Sequence, residues 1–285
     1  MSKNLNKKGN ASGMQSFIII LAAIALFVIF TLINPGFASK GNLLTMTKSL
    51  VPYAILSLGV TFAIATGGID LSIGTVCIGS AVLAGAICKT GVSLEDGVLW
   101  LTIPIILLTG LCFGLINGFL VAKCRLQAFI ATLITMTAYR GVAYIITDGR
   151  PISRLAESAT SGAFFFKAMG KGNLLIFETI KIPIPALILI IAFVVVWFVL
   201  TKTTFGRRIY ATGSNAKCAK LVGVDTAKIK MACYGISGFL ASLAGLLMCS
   251  RLNAAQPTFG DGYELDAIAA TALGGTSMSG GRGKI

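Results

Sequence analysis

The polar residues with most chemistry to offer lie in Gly67-Gly68-Ile69-Asp70-Leu71-Ser72-Ile73-Gly74, a glycine-rich break between two apolar runs. One carboxylate, one hydroxyl and open backbone form a hydrogen-bonding set suited to a neutral polyhydroxylated solute. They do not form a nucleophile and base. A second break, Gly-Gly-x-x-x-Ser-x-Gly, occupies Gly274 to Gly281. Hydrocarbon cannot satisfy free N–H and C=O groups, so such breaks survive where they line a protected cavity. Paired breaks in corresponding parts of two halves point to a transport path. On that reading Gly67, Gly68, Asp70, Ser72 and Gly74 line the path with Gly274, Gly275 and Ser279, and Asn117 touches the same polar cavity. The plainer reading makes Asp70 a helix cap, its carboxylate accepting the free N–H groups of a helix that starts at Leu71. Capping is preferred for Asp70, with the cavity lined by the backbone around it.

The wider composition limits what this set can do. Of 285 residues, 55% are hydrophobic and 12% charged, with a mean hydropathy of +0.87. A soluble domain carries about 25% charged residues, so the chain is an integral membrane protein. It contains no histidine, which excludes a histidine metal site or a Ser-His-Asp triad within the chain. Its seven cysteines form no C-x-x-C pair and read as small buried hydrophobes. Gly283-Lys284 lacks the Gly and Ser/Thr of a phosphate loop, having Met278 and Ile285 instead. No catalytic residue, cofactor or metal is expected, and ATP chemistry has to come from another subunit. The net charge of +14 lacks the aromatic-rich basic patch that stacks bases, so no nucleic acid partner is expected.

The elements that must position the breaks follow in order. Residues 1–15 read as a basic cytoplasmic tail, and Phe17–Ile33 as the first span, closed by Asn34-Pro35-Gly36. Leu43–Thr66 is the second span, kinked at Pro52, and Leu71–Cys88 the third, beyond the first break. Val98–Ala122 carries Gly110-x-x-x-Gly114-x-x-x-Gly118 along one face, the spacing of close helix packing. Gln127–Thr147 holds Arg140, either a functional intramembrane cation or one that snorkels across about 10 Å of helix rise. Residues 148–181 form a long polar connection whose Phe164-Phe165-Phe166 reads as a foot at the membrane interface. Ile182–Thr201 and Met231–Ser250 are further spans, and Glu264–Leu273 is a short apolar approach to the second break.

Alternating the spans from an inside N-terminus puts twelve basic residues inside and nine outside. The seven lysines and arginines of residues 202–230, against the single acid Asp225, decide the matter by the positive-inside rule: that segment is cytoplasmic.

Four stretches carry a family resemblance. They are Thr66 to Gly74; Ala128-Phe129-Ile130-Ala131-Thr132-Leu133 through Arg140-Gly141; Thr204-Phe205-Gly206-Arg207-Arg208 through Gly213; and Leu273 through Gly283. In order and spacing the chain resembles the permease subunit of bacterial ABC importers for monosaccharides, of the ribose, xylose and galactose type. The resemblance implies an all-α polytopic helical bundle with interrupted helices and an internal repeat, a single permease domain over 1–285, in the bacterial inner membrane. It also implies cytoplasmic ATPase subunits, an extracytoplasmic sugar-binding protein and a second permease copy as partners, with membrane lipid around them. Its coupling segment falls within 202–230, with Gly206, Arg207, Arg208, Ala216, Ala219 and Gly223 at the matching positions. There the family's acidic residue followed by two alanines is replaced by Ala216 and Ala219 flanking Lys217 and Cys218. Relatives continue past the second break with further spans, so a C-terminally shortened permease is expected.

Rival readings are a permease for branched-chain amino acids or an autoinducer-type furanone, and a proton-coupled secondary transporter using Asp70, Glu264 or Asp266. An intramembrane enzyme would need a base that the absence of histidine withholds.

Overall fold

The structure is a computed structural model that describes residues 2–89, 96–155, 161–176 and 180–283. The helices are α1 (Ser2–Ile33), α2 (Lys40–Ala65), α3 (Ile73–Lys89), α4 (Asp96–Ala122), α5 (Ala128–Thr147), α6 (Ser161–Lys171), α7 (Ile184–Lys202), α8 (Thr204–Ser214), α9 (Ala216–Leu221), α10 (Thr226–Leu252) and α11 (Tyr263–Leu273). Four short strands join in two antiparallel pairs: β1 (Ile152–Ser153) with β4 (Ala254–Ala255), and β2 (Asn173–Ile176) with β3 (Ile180–Pro183). Five helices are long and apolar enough to cross a membrane, with shorter apolar helices at Phe17–Ile33 and Ile73–Ile87. This is an all-α polytopic membrane protein with interrupted helices. Within the long polar connection over 148–181, residues 156–160 and 177–179 lie outside the described residues.

Helices α2, α3 and α10 form the interior. The apolar window of α10 is 78% buried and that of α2 is 67% buried, against 22–28% for the spans in α4, α5 and α7. The outer helices therefore turn apolar side chains outward, as lipid-facing helices do. Along α1 every described side chain from Phe17 to Ile33 is at least partly exposed, including Phe17, Ile20, Leu21 and Phe30. Helix α1 runs back through the basic tail to Ser2, with no proline to end it.

The seam between α4 and α10 explains the three-glycine stripe. A Cβ at Gly110 would strike Gly238 O, one at Gly114 would strike Tyr234 O, and one at Gly118 would stand 2.7 Å from Met231 Cα. The helices touch backbone to backbone, so the stripe serves packing. It presses α10 close enough for Tyr234 and Ser237 to reach the first break.

At the end of the bundle away from residues 202–230, β1 and β4 pair Ile152 with Ala255, and both pack on Gly85 of α3. The side chain of Lys48 donates to Lys171 O at 2.6 Å, and Arg251 donates to Ser49 Oγ at 2.5 Å. The expected aromatic foot is split by helical geometry. Phe164 is 76% exposed, whereas Phe166, two residues on along α6, is wholly buried and its carbonyl accepts from the Ser250 hydroxyl.

The basic segment 202–230 folds as two short helices and the start of a third, each with its own N-cap. The Thr203 hydroxyl accepts from Gly206 N, Asn215 Oδ1 from Lys217 N and Cys218 N, and Asp225 Oδ1 from Ala227 N and Lys228 N. The Lys228 N–H holds the Asp225 carboxyl below the usual carboxylate range.

Overpacking the α4–α10 seam should be costly. Gly114→Val is expected to lose about 1–3 kcal/mol of stability, whereas Gly141→Ala, with nothing within 4 Å, should stay within about 0.5 kcal/mol. Thermal denaturation of the purified variants measures the difference, and equal losses would refute the seam.

Candidate translocation junction

Both breaks begin as the same helix ending. At the end of α2, Gly67 N donates to Ile64 O at 2.8 Å and Gly68 N to Ala63 O at 3.1 Å, with Gly67 at φ +79°. At the end of α11, Gly275 N donates to Ala272 O at 3.1 Å and Thr276 N to Thr271 O at 3.3 Å, with Gly275 at φ +100°. Both are Schellman endings, which need a left-handed residue that glycine supplies without strain. The structural register differs by one residue from the sequence repeat. Gly67 corresponds to Gly275, because Gly274 is still right-handed at φ −67°.

After Gly68 the chain turns back into the bundle. A Cβ on Gly59 would be 3.0 Å from Ile73 Cδ1, and Gly59 lies about 9 Å of helix rise before the end of α2. Helix α3 therefore starts inside the bundle, at Ile73 rather than at Leu71. Residues 69–72 cross that depth without helical hydrogen bonds, so their polar groups need other partners.

Asp70 supplies them. Its Oδ1 accepts from Ser72 N at 3.0 Å and from Ser72 Oγ at 2.7 Å, and its Oδ2 accepts from Ser237 Oγ at 2.9 Å. Asn117 Nδ2 donates to Ser72 Oγ at 2.6 Å, Thr132 Oγ1 accepts from Leu71 N at 3.2 Å, and the Tyr234 hydroxyl donates to Ile69 O at 3.4 Å. Asp70 is 2% exposed, and Ser72, Asn117, Thr132, Ser237 and Tyr234 are fully buried. The carboxylate thus holds the residue before α3, whose Ser72 carbonyl accepts the first helical hydrogen bond from Val76 N at 2.8 Å. Asp70 acts one step upstream of a conventional N-cap. The node joins the break to α4, α5 and α10.

On its other side the first break meets α11. A Cβ at Gly74 would strike Glu264 Oε2 and stand 3.0 Å from Gly260 O. Glu264 is 6% exposed and its Oε2 has no hydrogen-bond partner. The Arg140 guanidinium lies 2.6 Å from Asp261 Oδ1 in an ion pair, with the Asp261 side chain largely exposed.

The two breaks touch. Gly281 N donates to Ala65 O at 3.0 Å, satisfying a carbonyl that the end of α2 leaves open. A Cβ on Gly280 would stand 2.7 Å from both Gly67 N and Gly67 Cα. The end of α8 closes the junction, since a Cβ on Gly213 would strike Ala65 O and stand 2.5 Å from Gly281 N. The Ser214 hydroxyl adds a 3.3 Å hydrogen bond to Gly281 O.

The structure brings together Asp70, Ser72 and Asn117 in the sealed node, and places Gly68 and Gly74 at its edges. Gly274, Gly275 and Ser279 stand exposed, and the Ser279 carbonyl lies 3.8 Å from where a Cβ on Gly67 would be. Gly206 lies buried at the α7–α8 corner, where a Cβ would strike Leu200 O, while Arg207 and Arg208 point outward. In α9, Ala216 is half-buried and Ala219 buried, and Gly223 closes the helix with a third Schellman ending at φ +83°. At the end of α9 the apolar Leu221 and Val222 are 86% and 79% exposed.

Sequence reasoning missed Ser237, Tyr234 and Thr132. A hydroxyl within an otherwise apolar run was the available signal. It also missed Gly213, which only the fold carries to both breaks. Among the described residues no group of acidic or cysteine side chains could hold a metal.

Interrupted helices whose polar backbone is satisfied inside a bundle of membrane spans define a transport protein of the permease class. The comparisons give the family. Residues 42–281 match the model for the branched-chain amino acid transport system / permease component, and the chain belongs to that family. It is 45% identical over 265 residues to the ribose import permease protein RbsC of Haemophilus influenzae, covering 93% of this chain and 78% of that protein. It is 34% identical over 269 residues to the L-arabinose transport system permease protein AraH of Escherichia coli, covering 94% and 75%. It is 31% identical to the xylose transport system permease protein XylH of E. coli, covering 97% of this chain and 84% of that protein. No solved structure matches the chain.

Two substitution pairs test the junction. Asp70→Leu strands the donors of Ser72 and Ser237 and should cost about 1–3 kcal/mol for each unsatisfied group. Asp70→Asn, which keeps an acceptor, should lose less in the same thermal assay. If the two variants melt together, the hydrogen-bonding account fails. Gly275→Ala should cost about 1–2 kcal/mol for its left-handed backbone, whereas the right-handed Gly274→Ala should cost little. The reverse order would reinstate the register of the sequence repeat.

Proposed function

We propose that this chain is the membrane-spanning permease subunit of an ATP-driven, binding-protein-dependent importer of a ribose-like monosaccharide. The sugar rests on the named functions of the relatives at 31–45% identity. The ATP-driven part rests on membership of the permease family, and the contact of Gly213 with Ala65 O and Gly281 N supplies a route from α8 to both breaks. In this reading residues 202–230 are cytoplasmic, as is the N-terminus, and the exposed Leu221 and Val222 dock on an ATPase subunit. A push on α9 passes through α8 to a point where both glycine-rich breaks meet it, backbone on backbone.

Rigid helices joined at such a point rock as units, because packed interfaces shift between discrete arrangements and do not deform continuously. The buried Asp70 node keeps α3, α4, α5 and α10 moving together. The exposed Gly274, Gly275 and Ser279 then face the sugar path and a second permease copy. A neutral sugar is met there by carbonyls and hydroxyls, and an extracytoplasmic binding protein delivers it. Lipid covers the outward faces of α1, α5 and α7. Coupling is proposed for Gly206, Arg207, Arg208, Ala216, Ala219 and Gly223, where an exposed basic rim surrounds the docking tip.

The family description favours a second reading, a branched-chain amino acid as substrate. One assay separates them. Proteoliposomes holding the chain with its ATPase and binding protein should take up radiolabelled ribose when ATP is enclosed, with no response to a protonophore, and should not take up leucine. Leucine uptake, or uptake driven by a proton gradient without ATP, would overturn the proposal. In the same assay Gly213→Val should reduce uptake more than about tenfold while the ATPase remains bound, since a side chain there must part α8 from both breaks. Unchanged uptake would remove α8 from the coupling route.

A further inference from the structure

We propose that the cavity between α9 and the neighbouring ends of α2, α4 and α10 is a binding site for an anionic phosphate group. It has a volume of about 420 Å³, within the range of about 300–1,000 Å³ seen for small-ligand sites. Arg125, Lys217, Lys220 and Lys230 line it, with Gln127 as a further polar group, and no carboxylate lines it. The acid on this stretch, Asp225, is committed elsewhere: it caps α10 and pairs with Lys228 at 3.5 Å.

These four cations come from three separate parts of the chain, which the fold turns toward one volume. Four like charges around one cavity repel each other, and a bound phosphate anion relieves that repulsion. Arg125 is placed there against backbone preference. It sits at φ +57° at the end of α4, a left-handed position that costs a non-glycine residue about 1–2 kcal/mol. Arginine at such a site offers a planar fork of donors matched to phosphate oxygens, and the lysines add point charges.

The floor of the cavity gives the site a consequence. Thr66, Gly67, Gly68 and Tyr234 line it, so a bound anion rests on the first break and on the tyrosine that holds Ile69 O. Lys217 and Lys220 belong to α9, and Thr226, Ala227 and Lys230 to the start of α10. A phosphate bridging these elements would tie the proposed coupling helix to the break in one arrangement. The binding itself does not depend on the transported solute.

Two sources carry this chemistry, a soluble phosphate and the headgroup of an anionic phospholipid, and one experiment distinguishes them. The full chain is placed in phosphatidylcholine nanodiscs and its Tm followed as inorganic phosphate replaces chloride at constant ionic strength. A bound anion about a hundredfold above its dissociation constant should raise Tm by roughly 5 °C. The same measurement without phosphate, in nanodiscs containing phosphatidylglycerol, reads the lipid. A rise with phosphate assigns a soluble ligand; a rise with phosphatidylglycerol, to which phosphate adds nothing, assigns the headgroup.

In either case the rise should vanish in the double variant Lys217→Gln/Lys230→Gln and persist in Lys202→Gln, a basic residue outside the cavity. That comparison removes general salt effects on stability. If the double variant does not elute as a folded protein, Arg125→Gln is read in its place and should at least halve the rise. No rise with either probe, or equal rises in wild type and the cavity variants, would overturn the proposal.

Discussion

The structure depends on how one buried carboxylate is satisfied. Between α2 and α3 the chain runs through the bundle without helical hydrogen bonds, where each unmet polar group costs several kcal/mol. Asp70 turns three donors toward itself, and through Ser72 and Ser237 it binds the break to α4 and α10. A hydrophobic residue could fill the space but would orphan those donors. With its donors met, the segment stays inside and α3 starts at depth.

That arrangement needs helices closer than side chains ordinarily allow. The glycines of α4 let α10 approach until backbones touch, and only then does Ser237 reach Asp70. The same economy recurs where Gly67, Gly213 and Gly280 meet. At that point an end of α2, an end of α8 and the second break share hydrogen bonds, so a motion of one cannot leave the others in place. A permease of this family thus gathers its irregular backbone at one junction and surrounds it with regular helices.

Charge is sorted with equal economy. The two buried acids are held by hydroxyls, in Asp70, or packed against the Gly74 backbone, in Glu264, and the exposed Asp261 pairs with Arg140. The basic residues of α9, α10 and the α4–α5 turn are instead left facing a common cavity. A solvated basic rim would spread those charges apart, since like charges gain by separation.

The sequence by itself determined the membrane class, the approximate spans, the two glycine-rich breaks, the close-packing stripe and the basic character of 202–230. These are legible because they depend on hydropathy, glycine spacing and local charge. It also carried the family, whose motifs lie in the quoted stretches. Only the tertiary structure decided that Gly67 corresponds to Gly275, that Arg140 pairs with Asp261, and that Phe166 is buried while Phe164 is exposed. Only it brought Ser237, Tyr234 and Thr132 to Asp70, and Gly213 to both breaks. The physical reason is distance along the chain. Ser237 lies 167 residues from Asp70, and Gly281 is 67 residues from its Ser214 partner. No local pattern encodes such meetings; they follow from how closely the glycine seams let the helices pack.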